Sequence, residues 1–167
     1  YFIFKTLRQD KVSELQETLL AQARLISHSL TISTEKLDRP RTHEFVRKLK
    51  RSTEARLTVV NSEGKVLGDS EQTWEALLQM DNYAARPEIR SALQGVMGVH
   101  RRYSTFMGLE MLYVAVPLQQ KKKIMGALRV ALPIGTVEQE VSSIQIPILL
   151  SMLVGILAMI LLGLLLV

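Results

Sequence analysis

Hydrophobic and polar positions divide the chain into two apolar ends and a long charged middle. The C-terminal end, residues 146–167, contains no charged residue, and about 20 apolar residues are enough to cross the ~30 Å core of a bilayer as a helix. This run predicts a membrane-spanning helix, with a buried helix of a soluble domain as the alternative. Ser151 and Gly155 within it have the spacing of closely packed membrane helices, although that motif is weak.

The N-terminal end repeats this pattern over a shorter stretch. Residues 1–4 are apolar and aromatic, and Lys5 and Arg8 follow at once, which is typical of the end of a spanning helix with its interfacial anchors. A cleaved signal peptide is the alternative. The two ends together predict a domain held at a membrane between a first and a second spanning helix.

The charged middle begins with helical spacing. From residue 5 to about residue 35, apolar residues recur at intervals of three and four and predict one long helix: Val12, Leu15, Leu19, Ala23, Ile26 and Leu30. This helix serves either the core alone or also the seam of a dimer. Asp38, Arg39 and Pro40 interrupt the pattern, and residues 42–50 predict a second, short helix.

The remainder alternates between strand and helix signals. Residues 56–61 and 66–70 predict a hairpin around a Gly64 turn, and residues 71–83 predict a short helix and loop. Pro87 at a helix start and Gly95 beyond its end bound another short helix. Three more strands are predicted, followed by a linker helix over residues 134–145; the strands cover residues 98–104, 111–117 and 124–132.

These elements predict an α+β fold, with a five-stranded antiparallel sheet packed on the long N-terminal helix. The domain that contains this sheet covers residues 36–133. Side chains alternate across a strand, so Leu112, Val114 and Val116 share an apolar face that we expect to pack on the long helix. The opposite face carries Tyr113 and Arg129 beside small alanines.

That second face predicts a binding pocket covered by residues 74–90. We expect Arg129, with Arg86 or Arg101, to bind a carboxylate or phosphate bidentately, and Tyr103 and Tyr113 to form walls. Two alternatives remain open. Arg129 pairs with a carboxylate to tie the segment to the sheet, the candidates being Asp69, Glu88 and Glu110, or the pocket is collapsed and the domain senses a protein partner.

Composition and charge narrow the function. The net charge is +5 and there is no cysteine, so disulfides and thiolate metal sites are excluded. The basic residues are scattered without interleaved aromatics, which argues against a nucleic-acid partner and favours anionic lipid or an anionic ligand. His28, His43 and His100 lack metal-site spacing. No catalytic signature is present, so we expect no metal, no cofactor and no activity in this chain.

Six pieces of sequence in order closely resemble the extracytoplasmic sensor domain of transmembrane histidine kinases of the phosphate-regulon (PhoR) type, whose fold is PAS-like or single Cache (PDC). The resemblance covers residues 56–133, and its pieces are residues 64–70, residue 82 with 86–89, residues 92–95, 102–104, 111–118 and 126–133.

The resemblance implies a homodimeric, multi-pass protein of the cytoplasmic (inner) membrane, with its sensor domain in the periplasm or outside the cell. It further implies a cytoplasmic kinase core beyond Val167 that would use ATP and magnesium and phosphorylate a cognate response regulator. Chemoreceptors and membrane diguanylate cyclases have similar sensor domains, and a membrane-tethered binding domain is a further alternative. Binding would act by shifting the second spanning helix relative to the first.

Overall fold

The computed structural model of the chain describes residues 2–33, 37–105 and 108–134, and the side chains of these residues except 2–10 and 33. Among the described residues no helix is both long and apolar enough to cross a membrane. The predicted spanning helix at residues 146–167, its Ser151 and Gly155, and the predicted linker helix beyond residue 134 lie outside the described residues.

The long N-terminal helix predicted by the apolar spacing is present as α1, Phe2–Ser33. One stripe of α1 is buried, at Val12, Leu19, Ala23 and Leu30. These residues share a helix face because their spacing follows the 3.6-residue period. Residues 2–4, predicted to end an earlier spanning helix, form the first turn of α1.

The second helix begins earlier than predicted. Helix α2 spans Arg39–Leu49, and a 3-10 turn, Lys50–Ser52, follows it. Asp38 caps α2 by accepting a hydrogen bond from the backbone N–H of Arg41 at 3.0 Å. Pro40 was expected to break the helix, but it lies in the first turn, where its missing N–H leaves no bond unmade.

The sheet has the five antiparallel strands that the sequence predicts. They are β1 (Arg56–Asn61), β2 (Val66–Asp69), β3 (Gly98–Ser104), β4 (Leu109–Gln120) and β5 (Lys123–Pro133). Their order across the sheet is β2-β1-β5-β4-β3, so β2 and β3 are the edges. Strands β4 and β5 are longer than predicted, because the turn between them contains only two residues, Lys121 and Lys122. Both have positive φ, as is typical of a two-residue hairpin turn.

Two short helices connect β2 to β3. They are α3 (Trp74–Leu78) and α4 (Pro87–Leu93). Helix α4 contacts β3, β4 and β5, whereas α1 contacts β4 and β5. The segment from α3 to α4, residues 74–93, is called the lid segment below. The predicted α+β architecture is therefore confirmed for the described part of the chain.

Register assigns each side chain to a face. Tyr113 pairs with Ala131, Ala115 pairs with Arg129, and Thr58 also pairs with Arg129. Because directly paired residues of antiparallel strands point to the same side, these residues share the face that carries the lid segment. Leu112, Val114 and Val116 share the other face, as the alternation predicted, and all three are buried.

Candidate ligand-binding site

Arg129 is the central residue of the lid-side face. It lies in the middle strand, β5, and only 4% of it is exposed. Its Nη2 donates a hydrogen bond to the hydroxyl of Thr58 at 3.1 Å, and its Nη1 lies 3.6 Å from Oε1 of Glu88. Its Nε, also buried, has no hydrogen-bond partner among the described residues. An unsatisfied buried donor is costly, so this atom retains an unused capacity to donate a hydrogen bond.

Glu88 brings a carboxylate to Arg129 from α4. It lies in the first turn of the helix after Pro87, where the helix N-terminus stabilises a negative charge. Glu88 is only 1% exposed. Arg102 of β3 donates to both carboxylate oxygens, from Nη1 at 3.1 Å and from Nη2 at 3.3 Å. Glu88 therefore joins the lid segment to two strands of the sheet.

The close approach of α4 to β3 depends on Gly98. A Cβ atom at Gly98 would lie 2.2 Å from the carbonyl oxygen of Glu88, well inside van der Waals contact. Only glycine lets the two backbones meet at this distance. Gly98 and Arg102 are four residues apart on β3 and face the same side, so one strand provides both the space and the ion pair for Glu88.

Asp69 forms the second anionic part of the site. It is fully buried, and both of its oxygens lie 3.1 Å from Nε of Arg56. The hydroxyl of Thr58 donates to Asp69 Oδ2 at 2.8 Å while accepting from Arg129. Thr58 thus links the Asp69–Arg56 pair to the central guanidinium through a continuous hydrogen-bond chain.

Two tyrosines flank the guanidinium groups. Cζ of Arg129 lies 4.6 Å from the ring centroid of Tyr83 and 5.2 Å from that of Tyr113. Arg102 lies over Tyr113 at 3.8 Å, and Arg86 lies over Tyr83 at 5.4 Å. Such cation–π contacts are stronger when desolvated, so they help to hold Arg129 in a buried position.

Tyr83 is placed by the β1–β2 turn. Its backbone N–H donates to the carbonyl oxygen of Gly64 at 2.8 Å, and the side chain of the neighbouring Asn82 donates to the carbonyl oxygen of Glu63 at 2.8 Å. Gly64 has φ of +81°, a conformation that favours glycine. This turn fixes the loop between α3 and α4 over the sheet.

The site contains more positive than negative charge. Three guanidinium groups, from Arg56, Arg102 and Arg129, surround the carboxylates of Asp69 and Glu88. Burial lowers the pKa of Arg129, while Tyr83 and Glu88 act in the opposite direction. Arginine nevertheless keeps its proton in proteins, so the cluster retains a surplus cation.

The structure brings together some of the predicted site residues. Arg129 and Tyr113 are in the cluster, and Arg86 reaches it through Tyr83. The structure does not bring Arg101 and Tyr103 together with them. Arg101 pairs with Leu112 and Tyr103 pairs with Glu110, so both point to the opposite side of the sheet, and Tyr103 is 63% exposed.

Arg102 takes the place expected for Arg101. Sequence reasoning did not fix the register of β3 against β4, and a shift of one residue exchanges the two faces. Gly98 was the available signal for the face of Arg102. Gly98 lies beneath α4, and because alternate residues of a strand share a face, His100 and Arg102 point to the same side as Gly98.

The predicted space beside the alanines is filled by the protein itself. Ala115 and Ala127 form a buried cluster with apolar side chains of the lid segment, namely Leu77, Ile89 and Ala92. The expectation of an open pocket over these alanines is therefore corrected. The alternative pairing of Arg129 with Glu88 is present, and Asp69 is reached through Thr58. Among the described residues no group of His, Asp or Glu has the arrangement of a metal site.

The fold is PDC-like (Cache-like), and it is similar to the solved sensor domain of a histidine kinase and to the ligand-binding domains of chemoreceptors. The sensor domain of the Vibrio cholerae histidine kinase DctB is similar, with a TM-score of 0.55 and 17% identity over 81% of this chain and 59% of that one. The ligand-binding domain of the Campylobacter jejuni chemoreceptor Tlp3 in complex with 4-methylisoleucine is also similar, with a TM-score of 0.59 and 17% identity over 77% of this chain and 55% of that one.

The Pseudomonas aeruginosa amino acid chemoreceptor PctC, in complex with GABA, gives a TM-score of 0.59 and 15% identity over 78% of this chain and 58% of that one. The chain thus spans somewhat more than half the length of these solved domains. No protein-family model and no curated protein matches the sequence. The comparisons do not support the phosphate-regulon type.

Proposed function

We propose that this chain is the extracytoplasmic sensor domain of a membrane-bound signalling receptor, and that it binds a small carboxylate or phosphate compound on the lid-side face. The observation that carries this proposal is the buried Arg129 guanidinium, with an Nε that lacks a partner among the described residues. An unused donor beside a surplus positive charge suits an anion, because a guanidinium binds a carboxylate or phosphate through paired hydrogen bonds.

Two proteins of similar fold bind small molecules that are compatible with this choice. 4-methylisoleucine, bound by Tlp3, and GABA, bound by PctC, both contain a carboxylate. In these two proteins a fold of this kind binds a small molecule. Fold similarity alone does not define a ligand, so the identity of the anion rests on Arg129 and not on these proteins.

Our proposal for the whole protein is a transmembrane histidine kinase, with this domain in the periplasm or outside the cell. The resemblance of residues 56–133 to phosphate-regulon kinases and the similarity to the DctB sensor domain support it. The similarity to chemoreceptors supports the alternative. The activity, with its ATP, magnesium and response regulator, would belong to the cytoplasmic region.

The sequence that follows Val167 in the gene tests the receptor type. A parallel-helix linker and then a helix with a His-Glu or His-Asp pair would establish the kinase. A long heptad coiled coil would establish the chemoreceptor and contradict the kinase. The phosphate-regulon subtype is the finer part of the proposal, and it would be tested by whether deletion of the gene changes the response to phosphate starvation.

A homodimer is also proposed, with α1 at its seam. Leu25 and Ile32 on α1 are 71% and 72% exposed. They are seven residues apart and therefore on one side of the helix, which is the spacing of a helix-pair interface.

Ligand binding is tested by thermal unfolding of the complete chain in detergent against carboxylates, amino acids and inorganic phosphate. A ligand at 100 times its Kd stabilises by about 2.7 kcal/mol, which should raise Tm by several degrees. Arg129→Met should remove this shift. Arg101→Met is the matched control, because Arg101 lies in the same sheet but on the other face, and it should preserve the shift. An equal shift in both variants would refute the role of Arg129.

A protein partner is the second candidate. It is favoured because the surface formed by Ala115 and Ala127 is already covered by the lid segment. Leu77 and Ile89 are fully buried against Ala115 and Ala127, so the lid segment occupies the space that a small molecule would use. If no compound of the panel changes Tm, cross-linking of the receptor in its native membrane would test this candidate. Identification of a specific extracytoplasmic protein, lost when the exposed surface of the lid segment is changed, would support it.

A further inference from the structure

The anion-binding groups of the site already hold an anion. The Glu88 carboxylate is fully buried, accepts hydrogen bonds on both oxygens from Arg102, and lies against Arg129. No second carboxylate can reach the same guanidinium edges while Glu88 is there, because like charges at such a distance repel strongly.

We infer that Glu88 is the resident occupant of an anion subsite formed by Arg102 and Arg129, and that a ligand carboxylate binds there only in exchange for Glu88. This inference rests on the proposed function. It adds a defined competitor, since the carboxylate of α4 and that of the ligand are mutually exclusive. Binding therefore detaches α4 from the sheet.

The fit of Glu88 to Arg129 is incomplete, which lowers the free-energy cost of exchanging Glu88 for a free carboxylate. The distance from Nη1 of Arg129 to Oε1 of Glu88 is 3.6 Å, longer than a hydrogen bond to a charged group. The Nε of Arg129 donates to no described residue. Glu88 is constrained by the contact of its backbone with Gly98. A free carboxylate has no such constraint and can use the donors of Arg129 that Glu88 leaves unsatisfied.

Apolar contacts define the rest of the ligand. When α4 moves, Ile89 and Ala92 lose their contact with Ala115 and Ala127. This exposes the two alanines beside the vacated guanidinium groups. The ligand class that replaces both contacts is a carboxylate attached to a short aliphatic group. A purely inorganic anion would fill only the charged half of the space.

Chemical rescue tests the subsite without knowledge of the natural ligand. Glu88→Ala leaves two guanidinium groups without their carboxylate in a largely buried place, which is strongly destabilising. Sodium formate or isobutyrate at about 100 mM should raise the Tm of this variant by about 4 °C or more above sodium chloride of equal ionic strength, a shift of about 1 kcal/mol or more. If the variant does not fold alone, the refolding yield in the two salts gives the same comparison.

Three controls define the result. Wild-type chain should show a smaller difference between the salts than Glu88→Ala, because in the wild type Glu88 competes with the added carboxylate for the same guanidinium groups. Glu44→Ala removes a carboxylate from an exposed pair with Lys48 and should show no rescue. The double variant Glu88→Ala with Arg129→Met should lose the rescue.

The outcomes separate this inference from the proposed function. Rescue by formate and greater rescue by isobutyrate would support the subsite and its apolar half. Equal behaviour of Glu88→Ala in carboxylate and chloride would overturn the inference. In that case a ligand found with the wild-type chain that depends on Arg129 would still uphold the proposed function, with a binding mode that leaves Glu88 in place.

Discussion

Glu88 and Arg102 form a two-point ion pair that ties α4 to the edge strand β3. The two contacts are 3.1 and 3.3 Å long, and the side chain of Arg102 is 24% exposed while that of Glu88 is not exposed at all. The pair therefore differs from a surface salt bridge, because its acidic partner depends on arginine for all of its compensation. An edge strand is the least supported part of a sheet, so this pair stabilises β3 as well as the lid segment.

Replacement of Arg102 should be more harmful than its exposure suggests. Arg102→Met leaves the Glu88 carboxylate with only the longer contact to Arg129, and loss of one partner of a buried pair costs about 3 kcal/mol. Urea unfolding measures this difference. Arg101→Met, one residue away and on the other face, should cost less than about 0.5 kcal/mol. Equal losses for the two variants would show that the ion pair does not stabilise the fold.

Gly98→Ala should destabilise the domain through a direct clash. The added Cβ would lie 2.2 Å from the Glu88 carbonyl oxygen and 2.7 Å from its Cα, and forced overpacking costs about 1–3 kcal/mol. Gly95→Ala is the matched control, because its nearest contact would be 3.7 Å away and only its positive φ, +84°, is unfavourable, at a cost of about 1 kcal/mol. A smaller loss for Gly98→Ala than for Gly95→Ala would contradict the close packing of α4 on β3.

Most of the fold was predictable from local patterns. The long helix, the five strands, and the caps of α4 each depend on residues within one element, such as Pro87 at the helix start. The sequence prediction placed the start of α2 too late, because a proline such as Pro40 either interrupts a helix or lies in its first turn. The presence of Asp38 as a cap, visible in the sequence, decides between them.

The site was less predictable because it depends on register and on packing between distant elements. Arg129 and Tyr113 were found from alternation along single strands. Arg102 was missed because the pairing of β3 with β4 sets its face. The packing of Ile89 against Ala115 and Ala127 could not be predicted, since the sequence does not reveal how closely a covering helix approaches a sheet.

His43 should make stability fall as the solution becomes acidic. It is 7% exposed, its Nδ1 accepts from the backbone N–H of Asp69 at 3.4 Å, and its ring lies 5.8 Å from that of Trp74. Burial, followed by the charge of Arg47, lowers its pKa from 6.5, and Asp69 acts in the opposite direction. The unfolded chain therefore binds the proton more tightly, and stability contributed by neutral His43 is lost as pH falls below about 6.5.

The measurement is the free energy of unfolding in urea between pH 7.5 and 5, where one such proton changes it by at most about 1.4 kcal/mol per pH unit. His43→Gln should flatten this dependence, because the amide takes no proton. His28→Gln, at an exposed position of α1, should leave the wild-type slope unchanged. A slope in His43→Gln equal to that of the wild type would assign the acid sensitivity to other groups.

The exposed apolar side chains of α1 give the test of the proposed dimer. Leu25 and Ile32 expose 71% and 72% of their surface, and two glutamates there would bring like charges together at a helix seam. Leu25→Glu with Ile32→Glu should shift the complete chain in detergent from dimer to monomer by sedimentation velocity. Ser13→Glu, also exposed on α1 but about a third of a turn away, should leave the dimer intact. A dimer that survives the double substitution would place the seam elsewhere.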